Sequence, residues 1–151
     1  MPEAPFDVSR AHRWFAVECN NSAWDLLESS GRSAEDSARL IEAAHAASFH
    51  WRAVGNELNR LRALNLLATA YVAVQDAAAS VRYAEQVLAA LSVADAQATA
   101  FDSAAAHGCA AAAFRLAGRN ADAQVAAVEA AQFAATLDAD DRAVFERLYP
   151  A

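Results

Sequence analysis

The stretch from Leu64 to Leu91, LNLLATAYVAVQDAAASVRYAEQVLAAL, indicates the fold class of this 151-residue chain. It contains neither glycine nor proline, and its apolar residues recur at helical spacing on both sides of a polar break at Gln75 and Asp76. Apolar residues three or four positions apart line one face of an α-helix, so the stretch predicts a helix, a tight turn and a second helix. Its many alanines favour closely packed helices, because alanine combines high helix propensity with little bulk.

Breaks of the same kind divide the rest of the chain. Gly31 and Gly118 mark two further tight turns, because glycine readily adopts the left-handed conformation that ends many helices. They lie 44 residues before and 43 residues after Gln75. A large apolar residue precedes each turn by four positions, at Leu27, Tyr71 and Phe114. Periodicity of this length predicts an all-α array of three helical hairpins, over about 8–53, 56–92 and 95–137, followed by a short helix over about 140–148.

Capping residues suggest where the helices begin. Ser33 and Asp36 have the spacing of a capping box, and Asn56 and Asp76 are residues that commonly cap helices. We also expect Asp95 to open the fifth helix and Asn120 to cap the sixth, and we interpret the acids at 138–141 as caps rather than as a Ca²⁺ loop. The expected helices cover about 8–30, with a candidate break at 20–22, then 34–53, 57–74, 77–92, 96–117, 121–137 and 140–148.

Charge excludes two classes of partner. All basic residues are arginine, and the excess of acids leaves a net charge of −7. Because the arginines form no cluster, we expect binding neither to nucleic acid nor to a membrane surface. Asp102, His107 and Arg115 interrupt the longest alanine-rich run, which therefore does not predict a membrane span.

The expected compartment is the cytoplasm. The first ten residues, MPEAPFDVSR, lack the apolar region of a secretory signal. Cys19 and Cys109 stand alone without a C-x-x-C pair, which suits a reducing compartment, although one disulfide between them is an open alternative.

The segment Leu64-x-x-Leu67-Ala68-x-x-Tyr71, followed by the turn and by Tyr83, Val87 and Leu88, resembles a tetratricopeptide repeat (TPR). Leu64 stands at the position of the family's tryptophan, Ala68 at that of its small glycine, and Tyr71 at that of its tyrosine. The third unit fits more loosely, and the first places Trp24 where a small residue is expected. The spacing also exceeds the family's 34 residues.

The resemblance covers roughly 20–137 and extends to uncharacterised bacterial TPR-like proteins. It implies a right-handed α-α superhelix that binds a protein or peptide partner, and it carries over no catalytic activity. Some TPR domains hold a carboxylate with basic side chains of their first helices. Arg60 and Arg62 are the candidates here, but lysine is absent and Leu66 and Leu67 follow Asn65, so that clamp is not supported.

The histidines suggest an alternative function. Glu42 and His45 share a helix face at a spacing of three, whereas His45 and His50 lie about 140° apart and cannot share a metal ion in the way that residues four apart do. If the second and fifth helices met, a small-ligand or metal site could form. Its residues would be Glu42, His45, His50, Asp102 and His107.

An aromatic and basic cluster ends the second helix. His50, Trp51 and Arg52 could form an edge that stacks on a ligand or binds an anion. The interpretation that we favour is that Trp51 packs over the next hairpin as a joint. We likewise interpret Trp14, Phe15 and Trp24 as core or end-cap residues.

We therefore expect a non-catalytic scaffold or sensor module without a cofactor, which binds a protein or peptide partner. Self-association is a further expectation, because Trp14, Phe15 and Val17 suggest an uncapped face of the first helix. The candidate binding residues are His50, Trp51, Arg52, Arg60, Arg62 and His107.

Overall fold

The computed structural model describes residues 6–150, which form seven α-helices and contain no β-strand. The all-α class is therefore confirmed. The first five residues, on which the expectation about a secretory signal partly rests, lie outside the described part of the chain. The helices are α1 (Val8–Glu28), α2 (Ala34–Val54), α3 (Glu57–Ala73), α4 (Ala77–Ala94), α5 (Ala100–Leu116), α6 (Asn120–Ala134) and α7 (Ala139–Leu148).

The three predicted tight turns are the positions where the described backbone enters the left-handed region. Gly31 and Gly118 have φ angles of 76° and 73°, and Gln75 has a φ angle of 62°. Glycine adopts this conformation without a Cβ clash, whereas glutamine adopts it at a cost in energy. The turn positions deduced from the sequence are thus confirmed, and they join α1 to α2, α3 to α4 and α5 to α6.

The second and third turns are closed by equivalent backbone hydrogen bonds. The N–H of Asp76 donates to the carbonyl of Tyr71 at 3.0 Å, and the N–H of Arg119 donates to the carbonyl of Phe114 at 2.9 Å. A bond that spans five residues at a helix C-terminus is typical of the Schellman motif. Tyr71 and Phe114 therefore occupy equivalent positions.

The first turn satisfies its carbonyl groups through a side chain. The guanidinium of Arg32 donates to the carbonyls of Leu26 and Leu27 at 3.2 and 3.0 Å. It also donates to the carbonyl of Ala73, at the end of α3, at 3.3 Å. Because a cation is favourable at a helix C-terminus, Arg32 caps α1 and also ties the first hairpin to the second.

Local capping starts most helices where the sequence predicts. Ser33 and Asp36 form the expected reciprocal capping box, and Asn56 and Asp76 accept the expected backbone hydrogen bonds. Asp138 caps α7 by accepting from the N–H of Asp141. The polar residues at 20–22 do not break α1, which is continuous.

Two predicted helix starts were wrong. Asp95 lies at the C-terminal end of α4, and α5 begins five residues later, after Thr99. Thr99 and Asp102 form a reciprocal capping box, which satisfies two backbone N–H groups instead of one. Asn120 is the first residue inside α6, and the preceding Arg119 makes no side-chain cap.

The helices pack mainly as sequential hairpins. Each helix of a hairpin contacts its partner, α2 packs on α3, and α4 packs on α5. The first helices of the hairpins also touch in order, since α3 contacts both α1 and α5, and α7 continues the row on α5. Helix α3 is buried on several sides, and its buried residues enter two separate core clusters.

Alanine lines the buried contacts of α5. Six alanines of this helix are buried, which allows neighbouring helix axes to approach closely. Cys109 lies among them, and it and Cys19 are both free thiols, so the two form no disulfide. None of the described helices combines the length and apolar character that a membrane crossing requires.

Candidate functional site

A groove of about 370 Å³ opens on the face that α1, α3, α5 and α7 share. Helix α1 contributes Asn20, Trp24 and Glu28; α3 contributes Leu61, Arg62 and Asn65; α5 contributes Phe101, Asp102 and Ala105; and α7 contributes Val144 and Leu148. Its wall therefore combines large apolar side chains with a few polar ones, a composition typical of ligand-binding grooves.

Helical spacing explains how each helix supplies one stripe of the wall. Asn20, Trp24 and Glu28 recur every four residues, as do Val144 and Leu148, so each set lies on one face of its helix. The packing of successive first helices then brings these faces together.

An ion pair across the groove links α3 to α5. The guanidinium of Arg62 donates from Nε to Oδ1 of Asp102 at 2.8 Å and from Nη2 to Oδ2 at 3.0 Å. The Asp102 side chain is only 6% exposed, whereas that of Arg62 is 52% exposed. Such a two-point contact fixes the plane of the guanidinium, and its remaining N–H groups are free of Asp102.

Asp102 is held in its charged form by four donor contacts. Burial raises the pKa of this carboxyl group, but hydrogen bonds from Arg62 and Thr99 outweigh the burial and lower the pKa below its ordinary value. The N–H and hydroxyl of Thr99 both donate to Oδ2, at 3.0 and 2.9 Å. The bond to Asp102 likewise raises the pKa of Arg62. The groove wall thus carries a stable cation whose orientation is fixed by a buried anion.

A polar contact lies next to the groove, between α3 and the residue that follows α7. The amide nitrogen of Asn65 donates to the hydroxyl of Tyr149 at 2.9 Å, and the hydroxyl of Thr69 lies 3.0 Å from the same oxygen. Burial raises the pKa of Tyr149, so its hydroxyl stays protonated. The Oδ1 atom of Asn65 is buried and has no hydrogen-bond partner among the described residues.

Of the six candidate binding residues, the groove contains one, Arg62. Arg60 lies on the same helix but pairs with Glu57 at 3.1 Å and faces a different hollow, which it shares with Arg52. Trp51 packs against the core cluster formed by α1, α2 and α3. The structure therefore does not gather the candidate residues into one site.

The histidines occupy three separate environments. His50 lies with its Nδ1 atom 2.8 Å from Nδ1 of His12, and Nε2 of His45 lies 2.9 Å from the hydroxyl of Tyr71. His107 stacks on Phe133 with ring centroids 5.9 Å apart. Burial lowers the pKa of all three predicted histidines, His45, His50 and His107.

These positions correct the proposed site of Glu42, His45, His50, Asp102 and His107. Helix α2 packs on α1 and α3, whereas α5 packs on α3, α4 and α6. The proposed site required α2 to pack against α5, and these two helices do not pack against each other. Residues 6–150 contain no group of three or more His, Cys, Asp or Glu side chains that could hold a metal ion. Of these five, only Asp102 lines the groove.

Most of the groove wall was not predicted from the sequence. Asn20 was considered only as part of a helix break, and Trp24 only as a core or end-cap residue, yet both line the groove. A usable signal was the recurrence of Asn20, Trp24 and Glu28 at every fourth position of the first helix. Phe101 and Ala105 show the same spacing within the predicted fifth helix, but that spacing does not indicate which helices their face meets.

Comparison with known proteins adds no relative, since no family model, curated protein or solved structure matches the chain.

Proposed function

We propose that the three hairpins form a TPR-like superhelix and that the chain is a non-catalytic module that binds a peptide segment of a partner protein in the groove. The observation that carries the proposal is the groove itself, whose wall is built from one stripe of the first helix of each hairpin and one stripe of α7. The equivalent turns at Gln75 and Gly118 support the repeat arrangement.

The groove offers two kinds of contact to a peptide. Trp24, Phe101 and Leu148 supply apolar surface for a large side chain. The half-exposed guanidinium of Arg62 supplies N–H donors for a backbone carbonyl or an acidic side chain, and its pairing with Asp102 holds it in place before binding. A group that is already oriented loses less conformational entropy on binding, so this arrangement favours affinity.

Selection of ligands from a random-peptide phage library on the immobilised full chain tests this proposal. Selected peptides are then titrated against purified variants by calorimetry. We expect Arg62→Ala and Trp24→Ala each to weaken binding by about tenfold or more, because each removes a contact in the groove. Arg60→Ala is the matched control, since Arg60 lies two residues away and outside the groove. Peptides that bind all four proteins equally would refute the groove as the site.

Binding of a small organic ligand in the groove is the second candidate function. The volume of the groove lies within the range of about 300–1,000 Å³ that is typical of small-molecule sites. Native mass spectrometry of gently purified protein would show such a ligand as a mass increment that disappears in Arg62→Ala.

Self-association is a separate proposal, supported by the outer face of α1. Trp14, Phe15 and Val17 are 58%, 45% and 40% exposed, and the rings of Trp14 and Phe15 are in edge contact. We expect light scattering to give a mass that rises with concentration, and Trp14→Glu to suppress the rise. A constant monomer mass at high concentration would contradict this expectation.

A further inference from the structure

One stripe of α5 lines two cavities in succession. Phe101 and Ala105 line the groove described above, and Ala112 and Arg115 line a second cavity of about 290 Å³ farther along the helix. These residues recur at helical spacing, so they lie on one face of α5. Gly108 lies between the two pairs on the same face, and α7 contacts α5 there.

Helix α3 shows the same succession. Leu61 and Asn65 line the first cavity and Val72 lines the second, while Thr69, which lies between them, contacts the hydroxyl of Tyr149. Helix α6 adds three alanines to the wall of the second cavity. We call the two cavities together the channel: α3 and α5 contribute to the walls of both, and α7 lies between them. Leu148 of α7 lines both cavities, which places it at the division.

The contact between α7 and the channel depends on a glycine. A Cβ atom at Gly108 would lie 2.9 Å from Cγ of Tyr149 and 3.0 Å from Cε2 of Phe145. Real Cβ atoms do not approach this closely, so the two aromatic side chains pack directly on the backbone of α5. Phe145 and Tyr149 are four residues apart and thus project from one side of the C-terminal segment.

Two arginine side chains add to these contacts of α7. Arg142 donates to two backbone carbonyls of the segment just before the helix, at 3.0 and 3.1 Å. Arg147 pairs with Glu28 of α1 at 3.2 Å, but both side chains are more than half exposed, and such pairs contribute about 0–1 kcal/mol. Phe145 is the only buried residue within α7, and Tyr149 follows directly after it. A helix of 10 residues is marginal without tertiary contacts.

We propose that α7 is an internal ligand of this channel and that the partner is an amphipathic helix carrying two aromatic residues four positions apart, which displaces α7. This inference rests on the proposed peptide-binding function and specifies its partner. The resident helix supports the choice, since it shows that Gly108, Asn65 and Thr69 accept a phenylalanine and a tyrosine at that spacing. The cavities on both sides leave room for a longer helix than α7.

Displacement makes the apparent affinity depend on the opening of α7. A partner that binds only the open channel has an apparent dissociation constant equal to its intrinsic value divided by the open fraction. A change that releases α7 without altering the channel therefore tightens binding.

Hydrogen–deuterium exchange of the unmodified full chain tests whether α7 opens by itself. We expect the amides of α7 to exchange about a hundredfold or more faster than the central amides of α5, because local opening costs less than global unfolding. Equal protection of both helices would show that α7 leaves the channel only on unfolding and would overturn the proposal.

A binding experiment tests the channel directly. Phe145→Ser with Tyr149→Ser in the full chain releases α7 but leaves Gly108, Asn65 and Thr69 unchanged. The probe is a fluorescent synthetic peptide, DADDRAVFERLYP, which corresponds to residues 138–150. We expect it to bind the released variant about tenfold or more tightly than the unmodified chain. Adding Gly108→Ala to the released variant should abolish this gain, because the methyl group occupies the position of the aromatic rings.

The controls separate this inference from the proposed function. A peptide with serine at both aromatic positions should not bind, and circular dichroism establishes that each variant is folded. If the released variant is folded and does not bind the probe, the internal-ligand proposal is wrong. If it does not fold, the exchange measurement on the unmodified chain decides. Binding of library peptides without independent opening of α7 would refute this inference alone, whereas the absence of both library ligands and probe binding would refute the proposed function as well.

Discussion

Replacing Arg62 with methionine should destabilise the protein through the carboxylate that Arg62 leaves behind. Methionine retains the unbranched apolar stem but removes both donors to Asp102. Oδ2 of Asp102 keeps its bonds from Thr99, whereas Oδ1 loses the donor that Arg62 provides. The substitution therefore leaves Oδ1 of the nearly buried Asp102 carboxylate without the Arg62 donor, and only water can replace that donor.

The magnitude follows from the unequal exposure of the two partners. Breaking a fully buried pair costs about 3–5 kcal/mol, and an exposed pair contributes about 0–1 kcal/mol. Because the Arg62 side chain is 52% exposed, water can replace part of the hydrogen bonding that the guanidinium supplied to Asp102. We expect a loss of about 1–2 kcal/mol in the free energy of unfolding for Arg62→Met, between those two limits.

The assay is urea denaturation at neutral pH, with Arg60→Met as the matched control. Arg60 pairs with Glu57 at the surface, so its loss should change stability by less than about 0.5 kcal/mol. Asp102→Ala should cost more than Arg62→Met, because it also removes the capping box of α5. In the double variant the two losses should not add, since Arg62 and Asp102 share one interaction.

The pH dependence provides the result that would refute this reasoning. The folded pKa of Asp102 is lowered, so its stabilising contribution is present above the ordinary value of 3.8 and is lost as pH falls through the folded pKa. Removing Arg62 lessens that lowering, so the difference between wild type and Arg62→Met should shrink in acid. A difference that stays constant from neutral pH to about pH 2 would show that the pair is not the cause.

Three further predictions concern packing, turns and titration. Ala68 is fully buried, so Ala68→Leu should overpack α3 and cost about 1–3 kcal/mol, and an unchanged thermal melt would remove Ala68 from the interface. Gly118 and Gln75 occupy equivalent left-handed turn positions, so Gly118→Ala should destabilise the protein and Gln75→Gly should stabilise it, each by about 1 kcal/mol. Shifts of the melting temperature in the same direction for both variants would contradict this expectation. His45, His50 and His107 have lowered pKa values in the folded chain, so the unfolded chain binds more protons as pH falls below the ordinary histidine pKa of 6.5. The contribution of these histidines to the free energy of unfolding should therefore be fully present above pH 6.5 and decline as pH falls. A melting temperature that rises as pH is lowered from about 7.5 to 5 would be inconsistent with the lowered pKa values.

Much of the fold was predictable because its signals are local. The turns at Gly31, Gln75 and Gly118 depend on backbone conformation within a few residues. The capping boxes join residues three positions apart, and the helical period places apolar residues on one face. Even the wrong start of α5 was a choice between two nearby caps, since Thr99 and Asp102 satisfy the same rule that identified Ser33.

These local rules could not predict most of the candidate site, because its contacts join residues that are far apart in the sequence. Arg62 and Asp102 are 40 residues apart, and Asn65 and Tyr149 are 84 residues apart. Their spacing in sequence carries no information about their distance in space. The histidine hypothesis failed for this reason, since it required α2 and α5 to meet.

Helical period, capping and left-handed turns act over a few residues, and they were sufficient to specify seven helices arranged in hairpins. Which faces meet depends on how side chains of different helices fit together over long separations. Only that packing brings Arg62 to Asp102, creates the groove and places Phe145 and Tyr149 against the backbone at Gly108.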